Sequence, residues 1–194
     1  MSRSLAEIPA LLAVAVVAAF FLKAFVAQAF FIPSPSMEPQ LNIGDRVVVL
    51  RLAYDLHDVR RGDVIVFDDP SEELPPDHRL PPVRWFGDLL EGVGLRQPDE
   101  TELIKRVIGL PGDVVEGRGG RVYVNGRELV EPYLAPGVGT APFVSVTVPD
   151  DNVYVLGDNR GDSKDSRYIG PIPLDSIVGR AVARVWPPTR WAWL

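Results

Sequence analysis

Ser34 and Ser36 lie two apart in Ile32-Pro33-Ser34-Pro35-Ser36-Met37-Glu38-Pro39. A serine hydroxyl becomes a useful nucleophile once a base takes its proton. The same stretch also reads as a plain Ser/Pro linker. Lys105 stands beside Arg106 in the apolar run Ile104-Lys105-Arg106-Val107-Ile108. Side chains alternate along a strand, so one of the two cations must face the apolar side. A lysine pressed there loses solvation and its pKa falls. The neutral amine can then act as a general base. The competing reading is an edge lysine whose stem snorkels to water. A third stretch, residues 157–170, is dense in hydrogen-bonding groups: Gly-Asp-Asn-Arg-Gly-Asp-Ser-Lys-Asp-Ser-Arg-Tyr-Ile-Gly. Asp158, Asn159, Asp162 and Asp165 could form a calcium loop. The interleaved Arg160, Lys164 and Arg167 would neutralise those carboxylates and weigh against a metal.

Composition narrows the chemistry further. The 194 residues include no cysteine and two histidines, and the net charge is -6. Disulfides, thiolate zinc and a thiol nucleophile are excluded. A multi-histidine metal centre is excluded too, and no metal or cofactor is expected. The acidic balance argues against nucleic acid as a partner. His57 and His78 lie outside the three stretches and read as surface imidazoles.

The elements that must position these residues read as β. Short β-branched runs occupy residues 46–50, 64–67, 103–108, 122–124, 144–148, 153–156 and 178–185, bounded by Gly, Pro, Asp or Asn. Asn125-Gly126 suits a type I′ hairpin turn. Gly44-Asp45, Gly62-Asp63 and Gly112-Asp113 each precede a strand and read as tight turns. The expected fold is mainly β, a partly closed barrel. Residues 68–102, rich in proline and charge around Trp85-Phe86 and Leu89-Leu90, read as a solvated excursion. Tyr133 to Phe143 reads as a second loop.

Ile8 to Leu22 carries no charge, and the apolar character resumes after Lys23. With Lys23 snorkelling, the segment reaches the roughly 20 residues of a membrane-spanning helix. A buried helix and a cleavable secretory signal compete with that reading, and Ala27-Gln28-Ala29 has the small-x-small form of a cleavage site. The charge pattern, Arg3 before the segment and Lys23, Arg46, Arg51, Arg60 and Arg61 beyond it, does not favour a cytoplasmic N-terminus.

In this order, the three stretches resemble bacterial type I signal peptidases, the membrane-anchored serine proteases that remove signal peptides from exported proteins. Ser34-Pro35-Ser36-Met37-Glu38-Pro39 matches the nucleophile motif. Gly44-Asp45, Arg61 to Phe67, Lys105 to Asp113, and Gly157 to Arg160 with Ser163, Asp165, Ser166 and Arg167 match the later blocks. The resemblance covers nearly the whole chain, least well at 68–102. It implies Ser36 as nucleophile and Lys105 as general base. Ser34 would stabilise the oxyanion with the Ser36 N–H, and Ser163 would orient the lysine amine. Asp165 and Arg167 would form a supporting ion pair. Phe30, Ile32, Pro33, Met37, Leu41, Leu103 and Ile104 would line shallow apolar subsites, with the substrate added as a β-strand. Pro35 stands where the family commonly has Gly, so a slightly altered Ser34–Ser36 geometry is expected.

The resemblance also implies a layout. Residues 1–27 would be a cytoplasmic tail and single transmembrane anchor in the cell membrane. Residues 28–194 would be an extracytoplasmic catalytic domain with a small subdomain at 117–149. Signal peptides of exported preproteins, the lipid bilayer and the protein-export machinery would be its partners. Two alternatives remain: a self-cleaving repressor-type Ser/Lys protease, which calls for an N-terminal DNA-binding domain, and an inactive, membrane-tethered β module that binds extended peptides.

Overall fold

The computed structural model describes residue 11 and residues 27–71 and 102–194. The expected anchor, apart from Leu11 and Ala27, and most of the 68–102 excursion lie outside the described residues. Among the described residues no helix is long and apolar enough to cross a membrane.

The strands follow in chain order: β1 Ala27–Phe31, β2 Arg46–Leu50, β3 Val64–Asp68, β4 Glu102–Gly109, β5 Val114–Arg118, β6 Arg121–Val124, β7 Arg127–Glu128, β8 Phe143–Thr147, β9 Asn152–Leu156, β10 Ile172–Pro173, β11 Ile177–Trp186 and β12 Ala192–Trp193. Two four-residue helices, α1 Ala53–Leu56 and α2 Ser166–Ile169, interrupt them. One sheet runs β1-β2-β11-β3-β4-β9-β10, with β12 added on β11. A second runs β7-β6-β5-β8. All the pairings are antiparallel, which short connections between consecutive strands permit.

The apolar runs mark where the core sits. Val64 and Val66 join Phe30, Ile32, Met37, Leu41, Val47, Val49 and Ile104 in one cluster, while Ile65 and Phe67 join Val107, Val153, Val155 and Ile172 in another. β3 is therefore buried on both faces, and this is why it reads as an unbroken apolar run rather than an alternation. A third cluster, with Ile108, Val115, Val122, Val148 and Tyr154, joins β4 and β9 to the second sheet.

The second sheet starts at Val114, three residues before the 117 boundary read from the sequence. Gly117 weakened the strand signal there. A side chain at Gly117 would overlap the Phe143 ring, so the glycine is required for close packing of β5 on β8.

The three Gly-Asp pairs form one repeated device. Gly44, Gly62 and Gly112 have φ of 89°, 94° and 78°. In each turn the Asp N–H donates to the carbonyl three residues earlier: Asp45 to Asn42, Asp63 to Arg60, Asp113 to Leu110. The Asp carboxylate then accepts the N–H of that same earlier residue, at 2.8, 3.0 and 2.6 Å respectively. Each carboxylate also meets an arginine: Arg190 at Asp45, Arg180 at Asp63 and Arg61 at Asp113. The turns that feed β2, β3 and β5 are thus pinned by side chains as well as by backbone. Asn125 and Gly126 have φ of 52° and 75°, as a type I′ turn requires.

Gly62→Ala meets no neighbouring atom but forces an L side chain into positive φ. It is expected to cost about 1–2 kcal/mol, read as a lower midpoint in chemical denaturation, with the β signal in circular dichroism unchanged.

Candidate active site

Ser36 sits in a 3-10 turn, Pro35–Met37, that follows the extended residue Ser34. Pro35 opens this turn. A fixed φ suits that place, and a missing N–H does no harm there. The Ser34 and Ser36 hydroxyl oxygens are 3.2 Å apart. The turn is fastened from the far end of the sequence. The Asn159 N–H donates to the Ser36 carbonyl at 3.0 Å, and the Asn159 amide donates to the Pro35 carbonyl at 3.2 Å.

Lys105 and Arg106 are both buried, at 2% and 7% exposure, although alternation called for one of them. The two cations are accommodated differently. Arg106 makes a bidentate pair with Asp158, at 2.8 and 2.7 Å, donates to the Gly62 carbonyl and lies over the Tyr133 ring. Lys105 has no such carboxylate clamp. Its Nζ lies 2.9 Å from Ser36 Oγ and 2.8 Å from the Ile104 carbonyl. Burial pushes the amine down from 10.5 to about 8, against the upward pull of Asp165, Asp158 and Asp69. Below that pH the ammonium donates to both oxygens. Above it an N–H still reaches Ile104, and the lone pair can accept the Ser36 proton.

The 157–167 segment walls the site. Asp165, fully buried, takes the Gly157 N–H at 3.0 Å and a bidentate pair from Arg167, both contacts at 2.8 Å. It also caps α2, accepting from the Arg167 N–H. Arg160 donates to the Gly157 carbonyl, to Thr140 at 2.6 Å and to Glu131. The arginines interleaved in this acid-rich stretch thus act as ion-pair partners within the fold. A methyl group at Gly157 would overlap both the Ser163 side chain and the Ser36 carbonyl, so only glycine lets these two pack so closely. Ser163 Oγ is buried there and has no hydrogen-bond partner among the described residues.

A shallow, solvent-open cleft lies between β1 and the start of β4. Phe30, Ile32, Pro33, Leu103 and Ile104 line it, together with Phe31, Val66 and Glu102. Met37 and Leu41 are instead wholly buried in the core cluster beneath it. Two strand edges flank the cleft. β1 is hydrogen-bonded to β2 on one side, and β9 meets β4 from Arg106 onward, which among the described residues leaves 102–105 paired to β3 alone.

The sequence matches the family described as signal peptidase, peptidase S26, over residues 5–186. The chain belongs to this peptidase family. It is 42% identical over 178 residues to a probable signal peptidase I-2 of Synechocystis sp., covering 91% of this chain and 71% of that protein. It is 38% identical over 220 residues to the signal peptidase I of Mycobacterium tuberculosis, covering 97% and 74%. A solved signal peptidase I from Enterococcus faecalis V583 is 29% identical, with a TM-score of 0.46, over 65% of this chain and 98% of that one. Of the stretches quoted from the sequence, the serine turn, the Lys105 strand and the 157–167 segment touch one another. Glu131 and Thr140 were not singled out as site residues by sequence reasoning, and Asn159 was read only as a candidate calcium ligand. Its part in fastening the serine turn could have been sought, since it lies inside the Gly157–Arg160 block. Glu131 and Thr140 carry no local signal.

The lowered Lys105 pKa has a sign for stability. Between pH 8 and 10.5 the unfolded chain holds a proton that the folded chain lacks, so stability rises with pH across that window. Below it the full penalty applies, about 3 kcal/mol for this shift. Lys105→Met removes the penalty. Its Tm is expected to exceed that of the unaltered chain at pH 6, with the difference shrinking above pH 8, as scanning calorimetry would read.

Proposed function

We propose that the chain is a membrane-bound serine endopeptidase that cuts signal peptides from exported preproteins after small-x-small sites. The observation that carries this reading is the 2.9 Å contact between a buried, desolvated amine and a serine hydroxyl. The Ser36 proton passes to Lys105 Nζ as Oγ attacks the scissile carbonyl. Ser34 Oγ and the Ser36 N–H stabilise the oxyanion, a donor of this kind being worth roughly 2.7–4 kcal/mol. The tetrahedral intermediate collapses, and Lys105 returns the proton to the leaving amine. Lys105 then takes a proton from water, which attacks the acyl-enzyme, and returns it to Ser36 Oγ as that oxygen leaves and the signal-peptide carboxylate is freed. Ser163, whose buried hydroxyl has no hydrogen-bond partner among the described residues, orients the amine once it turns to Nζ, and the Asp165–Arg167 pair holds Gly157.

The substrate adds as a strand between the edges of β1 and β4. Phe30, Ile32, Leu103 and Ile104 leave room for small side chains, with Met37 and Leu41 supporting them from below. Residues 1–27 anchor the enzyme in the cell membrane with the N-terminus cytoplasmic, and residues 28–194 act outside, with the second sheet as a small subdomain. The export machinery delivers the preproteins. No cofactor takes part.

Detergent-solubilised chain is expected to cleave a preprotein after Ala-x-Ala, and Ser36→Ala or Lys105→Ala to reduce the rate about a thousandfold or more. Phenylalanine in place of the last alanine before the bond is expected to abolish cleavage. An unaltered chain that binds the preprotein without cutting it, or a Lys105→Ala variant as active as the unaltered chain, would instead favour the peptide-binding module. Product masses and initial rates decide.

A further inference from the structure

Three carboxylates bear on the Lys105 amine: Asp165, Asp158 and Asp69. Each has its own cation: Arg167, Arg106 and Lys164. The first two pairs lie within the matched motifs and are buried at both ends. The third is different. Asp69 immediately follows β3, in the part of the chain least like the family motifs, and its carboxylate is almost fully buried. It accepts from the Ser71 N–H at 2.9 Å and the Ser71 hydroxyl at 2.6 Å, and meets Lys164 Nζ at 2.6 Å. Burial opposes its ionisation, yet these donors outweigh burial and hold it below the usual carboxylate range. Lys164, about half exposed, directly follows Ser163.

Resting on the protease reading above, we propose that Asp69 and Lys164 form a positioning pair for the dyad. The pair fastens the segment that carries Ser163 to the end of β3, and it sets a buried negative charge in the field of the Lys105 amine. Asp69 and Lys164 act in opposite senses on that amine. A carboxylate favours the ammonium form, and a nearby cation disfavours it. In the intact pair Asp69, the buried end, still pulls the amine upward, so the pair gives rigidity together with a weak bias toward the ammonium. Asp158 and Asp165, locked by Arg106 and Arg167, form the constant background. The exposed end at Lys164 also makes this the salt-sensitive pair of the three.

The test is titration of the Lys105 side chain by NMR in the full chain and in Asp69→Asn, Lys164→Gln and Lys164→Arg, with kcat/KM against pH as a second readout. Asp69→Asn is expected to lower the midpoint by about half a pH unit, and Lys164→Gln, at the exposed end of the pair, to raise it by less. Lys164→Arg is expected to restore it, and salt at about 0.5 M to shrink the Lys164→Gln shift. Shifts of the same sign in both variants, or unshifted midpoints with reduced rates, would overturn the proposal and leave the pair a structural contact. The NMR titration does not need cleavage. An unaltered chain that fails to cut preprotein therefore overturns the protease reading alone, while the midpoints still judge the pair.

Discussion

An amine without a carboxylate clamp, held out of water, is the constraint on which the site is built. Lys105 is 2% exposed and touches Ser36 and a backbone carbonyl. Its neighbour Arg106 shows what the fold does with a cation that needs only to be stable: a bidentate carboxylate, a carbonyl and an aromatic face. The same treatment of Lys105 would hold it protonated and useless as a base. The three carboxylates around it are therefore each committed to another cation. Lys105 feels them only as a field, and desolvation wins.

Holding that arrangement requires the serine turn and the lysine strand, 69 residues apart, to stay in register. The 157–167 segment does this. Its Asn159 binds the Ser36 turn, its Asp158 binds Arg106 next to Lys105, and its Gly157 lets Ser163 and Ser36 approach. Behind it, Arg160 reaches Glu131 and Thr140, so the loop of the second sheet braces this segment. The pinned Gly-Asp turns serve the same end from the other side. The Gly62 turn abuts β4 directly, its Gly62 N–H donating to the Val107 carbonyl and its carbonyl accepting from Arg106.

Much of this was legible in the sequence, because the chemistry is local in residue type. The Gly-Asp turns follow from glycine at positive φ beside an aspartate, and the Asn125-Gly126 hairpin from the same rule. Ser36 and Lys105 stood out by type and context, though each alone also suited a bland reading. Their pairing came from the resemblance and not from spacing. Other features could not be read because they depend on tertiary placement. Alternation put one of Lys105 and Arg106 inside. Both are inside because a second layer of polar groups, from residues 157–167 and Tyr133, receives Arg106. Met37 and Leu41 resemble subsite residues in the sequence, but apolar character does not distinguish a pocket wall from the core beneath it. The Glu131–Arg160 pair joins residues 29 positions apart with no periodicity to announce it.

The account turns on the proton equilibrium of one buried amine, so the pH dependence of kcat/KM for the unaltered chain on an Ala-x-Ala preprotein tests it most directly. The free-enzyme profile should rise with a single ionisation whose midpoint lies near the value of about 8 set by burial of Lys105. A rise centred near 6.5, the range of histidine, or a rate already flat from pH 6 upward would contradict it.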